Sequence, residues 1–312
     1  MTAILLLGAN GQLGRSFLEH DALSTLGTVV AASRDGMRFD GGPAEMADLS
    51  SPATLPALLD KLQPDIIINA AAYTAVDRAE QEEALATTVN GEAVAVIAGW
   101  AATHQALLVH YSTDYVFDGR ARAPYAVDAA TAPLGAYGRS KLAGEQALQA
   151  SGAAYLLFRT AWVYAAHGHN FLRTMLRLGA ERDELRVVAD QHGAPTSTDL
   201  IVAATLAALT AWQRAATVQR AAMQGIHHLV ASGHTSWHGF ASAIFDKAHA
   251  RGLIAHIPRV LPITTADYPT PARRPAWSVL DNQGFRQRFG YALADWQEGL
   301  DHVLDTLAKQ AR

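Results

Sequence analysis

Cysteine is absent from the 312 residues. That excludes a disulfide framework and any thiolate metal site, and it suits a reducing compartment, so a cytoplasmic protein is expected. Positive charge is scarce as well: 25 Lys and Arg stand against 29 Asp and Glu, a net charge of −4. The basic residues are scattered rather than clustered, so a small molecule is expected as the partner, and nucleic acid is not. The longest apolar helix, Leu200 to Trp212 after Asp199 as its N-cap, falls short of the ~20 residues a membrane span needs, and no membrane partner is expected. The opening MTAILLLGANG has neither a positive leader nor a small-residue cleavage site, and it reads as a strand entering a turn rather than a signal peptide. Internal repeats and low-complexity tracts are missing too, apart from an Ala-rich surface stretch from Arg214 to Met223.

Half of the residues are apolar, enough for a sizeable core. Short Leu-rich or β-branched runs (Ala3 to Leu7, Thr28 to Ser33, Asp65 to Ala70, Ala106 to Ser112, Tyr155 to Arg159) alternate with helical patterns near Leu13 to His20, Ser51 to Lys61, Glu82 to His104 and Tyr137 to Ala150. That alternation predicts an α/β fold with a Rossmann-like, doubly wound parallel sheet and a smaller C-terminal α/β part. The expected division is a dinucleotide-binding domain over 1–160, to which 185–215 returns, and a substrate-binding part over 161–184 and 216–312.

GANGQLG places Gly8, Gly11 and Gly14 after a strand and at the opening of a helix, where the backbone must turn tightly and approach a pyrophosphate. The next strand ends in Ser33 and Arg34, with the carboxylate of Asp35 one place later. An arginine there suits a 2′-phosphate and favours NADPH over NADH. Asp48 is a candidate acceptor for the adenine amino group, with a turn or cap carboxylate as the competing reading.

YGRSK sets Tyr137 and Lys141 four residues apart, on one face of a predicted helix. With four lysines and nine tyrosines in the chain, such a pair arises by chance about 0.1 times. A free phenol is a poor acid or base at neutral pH, but a neighbouring ammonium and a positive nicotinamide ring stabilise its phenolate, which would make Tyr137 a tuned general acid/base. Upstream, HYSTDYVFDG ends a strand at its carboxyl edge and offers Ser112 and Thr113 as hydroxyl partners for a carbonyl oxygen.

The order GANGQLG, NAAAYTAVD, STDYVF, YGRSK and RTAWVY resembles the extended short-chain dehydrogenase/reductases. NFLRTML, VVADQHGAPT, GIHHLVASGHTSWHGFA and YPTPARRP are similar, more narrowly, to the dTDP-4-dehydrorhamnose reductases within them. The resemblance spans nearly the whole chain. It implies a catalytic set of Thr113, Tyr137 and Lys141, and a cofactor turn of Gly8, Asn10, Gly11, Gln12 and Leu13. Asp48 and Leu49 would contact adenine, Ala70, Ala71 and Tyr73 the nicotinamide ribose and phosphates, and Lys141 the ribose as well. It puts Asp114, Tyr115, Trp162 and Asn170 on the substrate side, with Arg273, and less firmly Arg274, as a clamp on the diphosphate of a nucleotide sugar. Trp277 and Val279 depart from that pattern, standing where a small polar residue and an arginine are expected. Some relatives are homodimers with Mg²⁺ at the interface; the acidic candidates for Mg²⁺ here are Glu181, Asp183 and Glu184, which a solvated helix end explains better. The histidines His167, His169, His227 and His228 lack a third ligand at a recognisable spacing and read as surface or core, and Trp237 with Phe240 at helical spacing reads as core.

The implied reaction is NADPH-dependent reduction of the 4-keto group of dTDP-4-dehydro-L-rhamnose. Another 4-keto nucleotide-sugar reductase, or an epimerase, is the alternative within the superfamily. Dehydratases typically carry Asp-Glu after the catalytic threonine, and this chain has Asp114 followed by Tyr115. A non-catalytic dinucleotide-binding regulatory subunit is the alternative outside enzymes, and it has no need of Tyr137 and Lys141.

Overall fold

A parallel sheet of seven strands forms the centre of the computed structural model, which describes residues 2–20 and 22–311. Its strands are β1 (Ala3–Leu7), β2 (Thr28–Ser33), β3 (Glu45–Met46), β4 (Ile66–Asn69), β5 (Leu107–Thr113), β6 (Ala154–Thr160) and an edge strand at Gly225–His228. The order across the sheet is Gly225–His228, β6, β5, β4, β1, β2, β3, so the chain changes direction of travel between β1 and β4. Ile4 pairs with Ile66 and Leu7 with Asn69, which sets the carboxyl ends of both strands level at that reversal.

Successive strand residues point to opposite faces, and the continuous apolar runs therefore serve two cores at once. Ile4, Leu6, Ile68 and Val109 face one layer with the Thr198–Arg214 helix, while Leu5, Leu7, Ile67 and Leu108 face the other with Leu55–Leu62 and Ala93–His104. The run Glu83–His104 is apolar and long enough by composition to cross a membrane, which Leu200 to Trp212 was not, but half of its most apolar stretch is buried in the protein. It is not one regular helix: Glu83–Thr87 and Ala93–His104 are joined by a π-helical turn at Thr88–Glu92.

The pattern after residue 160 differs from the expected division in two strands. Glu184–Val188 alternates exposed and buried residues, which suits a half-covered pair, and it pairs with Arg259–Ile263 outside the large sheet. Gly225–His228 instead closes the large sheet beside β6. The Thr198–Arg214 helix does pack against Gln12–Glu19 at the glycine turn.

Candidate active site

A cleft of about 880 Å³ opens at the carboxyl ends of β1, β4 and β5, at the reversal of strand order where open α/β sheets bind ligands. Gly8, Asn10, Gly11, Gln12 and Leu13 form its floor. The three glycines of the turn have different reasons to be glycine. Gly8 has φ +81°, and a Cβ there would lie 2.6 Å from Ala71 N; a Cβ on Gly14 would run into the carbonyl of Gly8. Gly11 has an ordinary φ, and its only near neighbour would be Gly8 O at 3.3 Å. Its missing side chain therefore leaves space on the cleft side rather than relieving a clash inside the protein, which fits a pyrophosphate lying over it.

At the end of the cleft where adenosine is expected, Arg34, Asp48 and Leu49 line the wall, and Arg34 is exposed. Asp48 Oδ1 accepts Ser50 N–H (2.9 Å) and the Ser50 hydroxyl (2.7 Å), so the carboxylate closes a turn as well as facing the cleft. Asp35, exposed at the rim of the same cleft, takes the Ser33 hydroxyl at 2.8 Å, and that bond above all lowers its pKa. Asn10 donates to Met37 O (2.8 Å), tying this loop to the glycine turn.

At the reactive end, the Ala136–Ala150 helix brings Tyr137 and Lys141 to the cleft on one face, opposite Ser112 and Thr113 at the end of β5. Gly138 lets the helix approach the carbonyl of Tyr115, which a Cβ would strike. Lys141 is buried, donates from Nζ to Tyr111 O at 2.6 Å, and lies 3.3 Å from His110 Nε2; burial lowers its pKa to about 8, against a raising influence from Glu145. Burial pushes Tyr137 up to about 12, partly offset by a hydrogen bond with Thr113 and reinforced by the Asp114 charge. The phenol is thus harder to ionise than a free tyrosine, opposite to the lowering expected from Lys141, because burial outweighs the other influences on it. The Thr113 hydroxyl donates to Asp114 Oδ1 (3.0 Å) and accepts from Tyr115 N (3.2 Å). It must turn to polarise a substrate carbonyl. Burial raises Asp114 to about 6, and its Oδ2, like Ser112 Oγ and Thr160 Oγ1, is buried without a partner at the cleft.

A second cavity, of about 730 Å³, lies beyond the stacked indoles of Trp162 and Trp237, whose centroids are 3.5 Å apart. Trp162 (φ 48°) lines the first cavity and Trp237 the second, so Trp237 is a wall rather than the pure core residue its spacing suggested; Phe240 is core. Arg274 lines the second cavity, and Tyr115 stands edge-on to Tyr137 in the first, with centroids 5.7 Å apart. Arg273 is exposed and lines neither. Asn170 lines neither as well: it caps a helix through Arg173 N (3.1 Å) and holds Gln12 Oε1 (2.8 Å), so it reaches the cleft only through Gln12. Trp277 donates to Ala123 O (2.9 Å) and Val279 O accepts from Tyr125 N (2.8 Å), both away from the cavities.

Three buried residues of the site, Asn90, Asn69 and His110, were not singled out in the sequence. Asn90, in the π-turn, accepts Tyr73 N–H (2.9 Å) and donates to Tyr73 O (3.0 Å) and Ser140 Oγ (3.0 Å), linking the Ala70–Tyr73 wall to the Tyr137 helix. Asn69 donates to His110 Nδ1 (3.2 Å), fixing the imidazole behind Lys141. His167 reaches Gln12 O at 3.0 Å, and His227 and His228 are buried in the edge strand. Glu181 pairs with Arg177, Asp183 with His256 and Glu184 with Arg259, and among the described residues no three His, Asp or Glu side chains gather as a metal site.

Residues 1–309 match the family model of the RmlD substrate binding domain. A dTDP-4-dehydrorhamnose reductase of Burkholderia thailandensis is 48% identical over 312 residues, 98% of this chain and 99% of its own. The dTDP-4-dehydrorhamnose reductase of Escherichia coli K12 is 43% identical over 304 residues, 97% of each chain. Among solved structures, the dTDP-4-dehydrorhamnose reductase of Bacillus anthracis in complex with NADP superposes with a TM-score of 0.86 at 31% identity, covering 98% of this chain and 100% of the other.

Proposed function

The chain belongs to the RmlD family of dTDP-4-dehydrorhamnose reductases, and from that membership we propose that it reduces the 4-keto group of dTDP-4-dehydro-L-rhamnose to give dTDP-L-rhamnose. The observation that carries the reading is the meeting of Tyr137, Lys141 and Thr113 in the same cleft as the glycine turn. NADPH, when bound, supplies the hydride that reduces the carbonyl carbon. The cleft fits it at three points: bare backbone at Gly11 on the cleft floor, unpartnered buried hydroxyls at Ser112 and Thr160, and an exposed guanidinium at Arg34 for the 2′-phosphate. Arg34 is the reason to prefer NADPH over NADH, and a cytoplasmic location follows from that cofactor and a nucleotide-sugar substrate.

The protein's own part is proton delivery and placement. Tyr137, kept protonated by burial, gives its phenolic proton to the alkoxide oxygen as the carbon is reduced. Lys141, anchored on Tyr111 O, holds a positive charge beneath the phenol and stabilises the phenolate left behind. Thr113 turns its hydroxyl from Asp114 to the same oxygen, and Asp114 Oδ2 accepts from a sugar hydroxyl. Trp162 walls the sugar, and Arg274, rather than Arg273, offers donors to the diphosphate.

The test is optical: loss of NADPH absorbance with dTDP-4-dehydro-L-rhamnose beside other 4-keto nucleotide sugars. The expected result is turnover fastest with the rhamnose precursor. No NADPH consumption with any of them would leave a dinucleotide-binding protein without this activity.

A further inference from the structure

The motif NAAAYTAVD ends in a residue that the reaction above does not use, Asp77. It lies in the Val76–Ala79 helix, whose Val76 and Arg78 line the first cavity, yet its carboxylate points across to the Pro-rich loop of the C-terminal part. Oδ2 pairs with Arg274 Nη2 at 2.8 Å, and Oδ1 accepts Ala272 N–H at 3.2 Å. One carboxylate thus fixes both the backbone of the loop and the head of its inward arginine. The Arg274 side chain is 23% exposed, and its Nη1 is shut from solvent with no hydrogen-bond partner.

A guanidinium is a planar fork with five N–H donors, and leaving one buried donor unmet is costly unless a ligand completes it. Arg274 is held from one side by Asp77, stands against Tyr115 on another, and faces the second cavity. We propose that Asp77 is a positioning residue: it holds Arg274 in the wall of the second cavity, beside Tyr115 of the first, so that the guanidinium meets the diphosphate of the nucleotide sugar. The inference rests on the reductase reading for the identity of the substrate, and on the loop geometry for its mechanism. A positive group fixed in this way recognises phosphate rather than base or sugar. The carboxylate also joins a wall of the cofactor cleft to the substrate loop.

The conservative variant is Asp77→Asn, which keeps the shape and an acceptor for Ala272 N–H but loses the charge that orients Arg274. In the full-length protein its KM for dTDP-4-dehydro-L-rhamnose is expected to rise about tenfold, the scale of a lost charge-assisted hydrogen bond. The kcat should stay within about twofold and NADPH affinity by calorimetry should be unchanged. Calorimetry with dTDP and with thymidine separates phosphate recognition from general damage: Asp77→Asn should weaken dTDP and leave thymidine as in the wild type. The double variant Asp77→Asn/Arg274→Ala should bind dTDP no worse than Arg274→Ala alone, because Asp77 acts only through the arginine. The proposal is overturned if Asp77→Asn keeps wild-type dTDP affinity, if dTDP and thymidine weaken equally, if the two substitutions add, or if the wild type does not bind dTDP. A wild type that binds dTDP as described but reduces no 4-keto sugar would remove the reductase reading and leave the role of Asp77 in diphosphate binding intact.

Discussion

Burial, which holds the Tyr137 phenol near 12, decides which half of acid/base chemistry the residue can perform unaided. At neutral pH it is a protonated donor, the state needed when a carbonyl gains hydride and its oxygen needs a proton. Loss of the hydroxyl in Tyr137→Phe removes the donor and leaves the packing against Tyr115 largely in place. Turnover should fall by ~10²–10⁴ with little change in NADPH or substrate affinity. Single-turnover kinetics with calorimetry of both ligands checks this, and activity within a few-fold of wild type would mean that the proton comes from elsewhere. The 2.6 Å bond from Lys141 Nζ to Tyr111 O shows that the position of the ammonium is set by the backbone of β5 rather than by Tyr137.

The element that carries these two residues is fixed to the sheet by a buried ion pair. Glu145, two turns along the Ala136–Ala150 helix from Tyr137, takes Arg159 of β6 in a forked contact (Nη2–Oε2 2.6 Å, Nε–Oε1 3.0 Å), with side chains 1% and 4% exposed. Arg159 also donates to Val127 O at 3.0 Å and lies over the ring of Phe117. Removing one partner strands the other charge in the interior, so Glu145→Leu should cost ~3–5 kcal/mol in urea unfolding, and Glu145→Leu with Arg159→Met should recover much of it. A single-variant loss below ~1 kcal/mol would show that water or another donor reaches Arg159. None of this was legible in the sequence, where Arg159 marked only the end of a strand run and nothing singled out Glu145. The β-α rhythm was legible because short continuous apolar runs and helical stretches are local signals. The Tyr137–Lys141 pair was legible for the same reason, being two residues on one helical turn. Asn90 and the Asp77–Arg274 bridge depend on contacts between elements distant in sequence, and a π-turn inside an apolar helix leaves no local trace. Arg273 was preferred to Arg274 because sequence cannot say which of two adjacent loop residues points inward.

Across the whole molecule, the buried ionisable groups give stability a distinct pH dependence. Burial lowers His227 and His228 to about 4 from 6.5, and burial with Lys141 beside it holds His110 well below 6.5 too. Their folded pKa values lie below the unfolded one, so the unfolded chain takes up protons that the fold refuses, and stability present above 6.5 is lost as pH falls towards 4. Asp114 works the other way: raised to about 6 from 3.8, it favours the fold most below 3.8 and loses that contribution as pH rises through 6. Three histidines outweigh one carboxyl, and each fully buried imidazole can cost on the order of 3 kcal/mol once the unfolded chain is protonated. The thermal midpoint should therefore drop steadily between pH 6.5 and 4, a window fixed by His227 and His228. At the other end, Lys141, lowered to about 8 from 10.5, should return stability as pH rises between those values. His227 and His228 make side-chain bonds to Met223 O (2.9 Å) and Asp281 O (2.9 Å), which a glutamine amide can also donate. The double variant His227→Gln/His228→Gln should accordingly keep the fold and flatten the acid limb of the calorimetric midpoint against pH. An acid limb as steep in that variant as in the wild type would place the responsible protons on other groups.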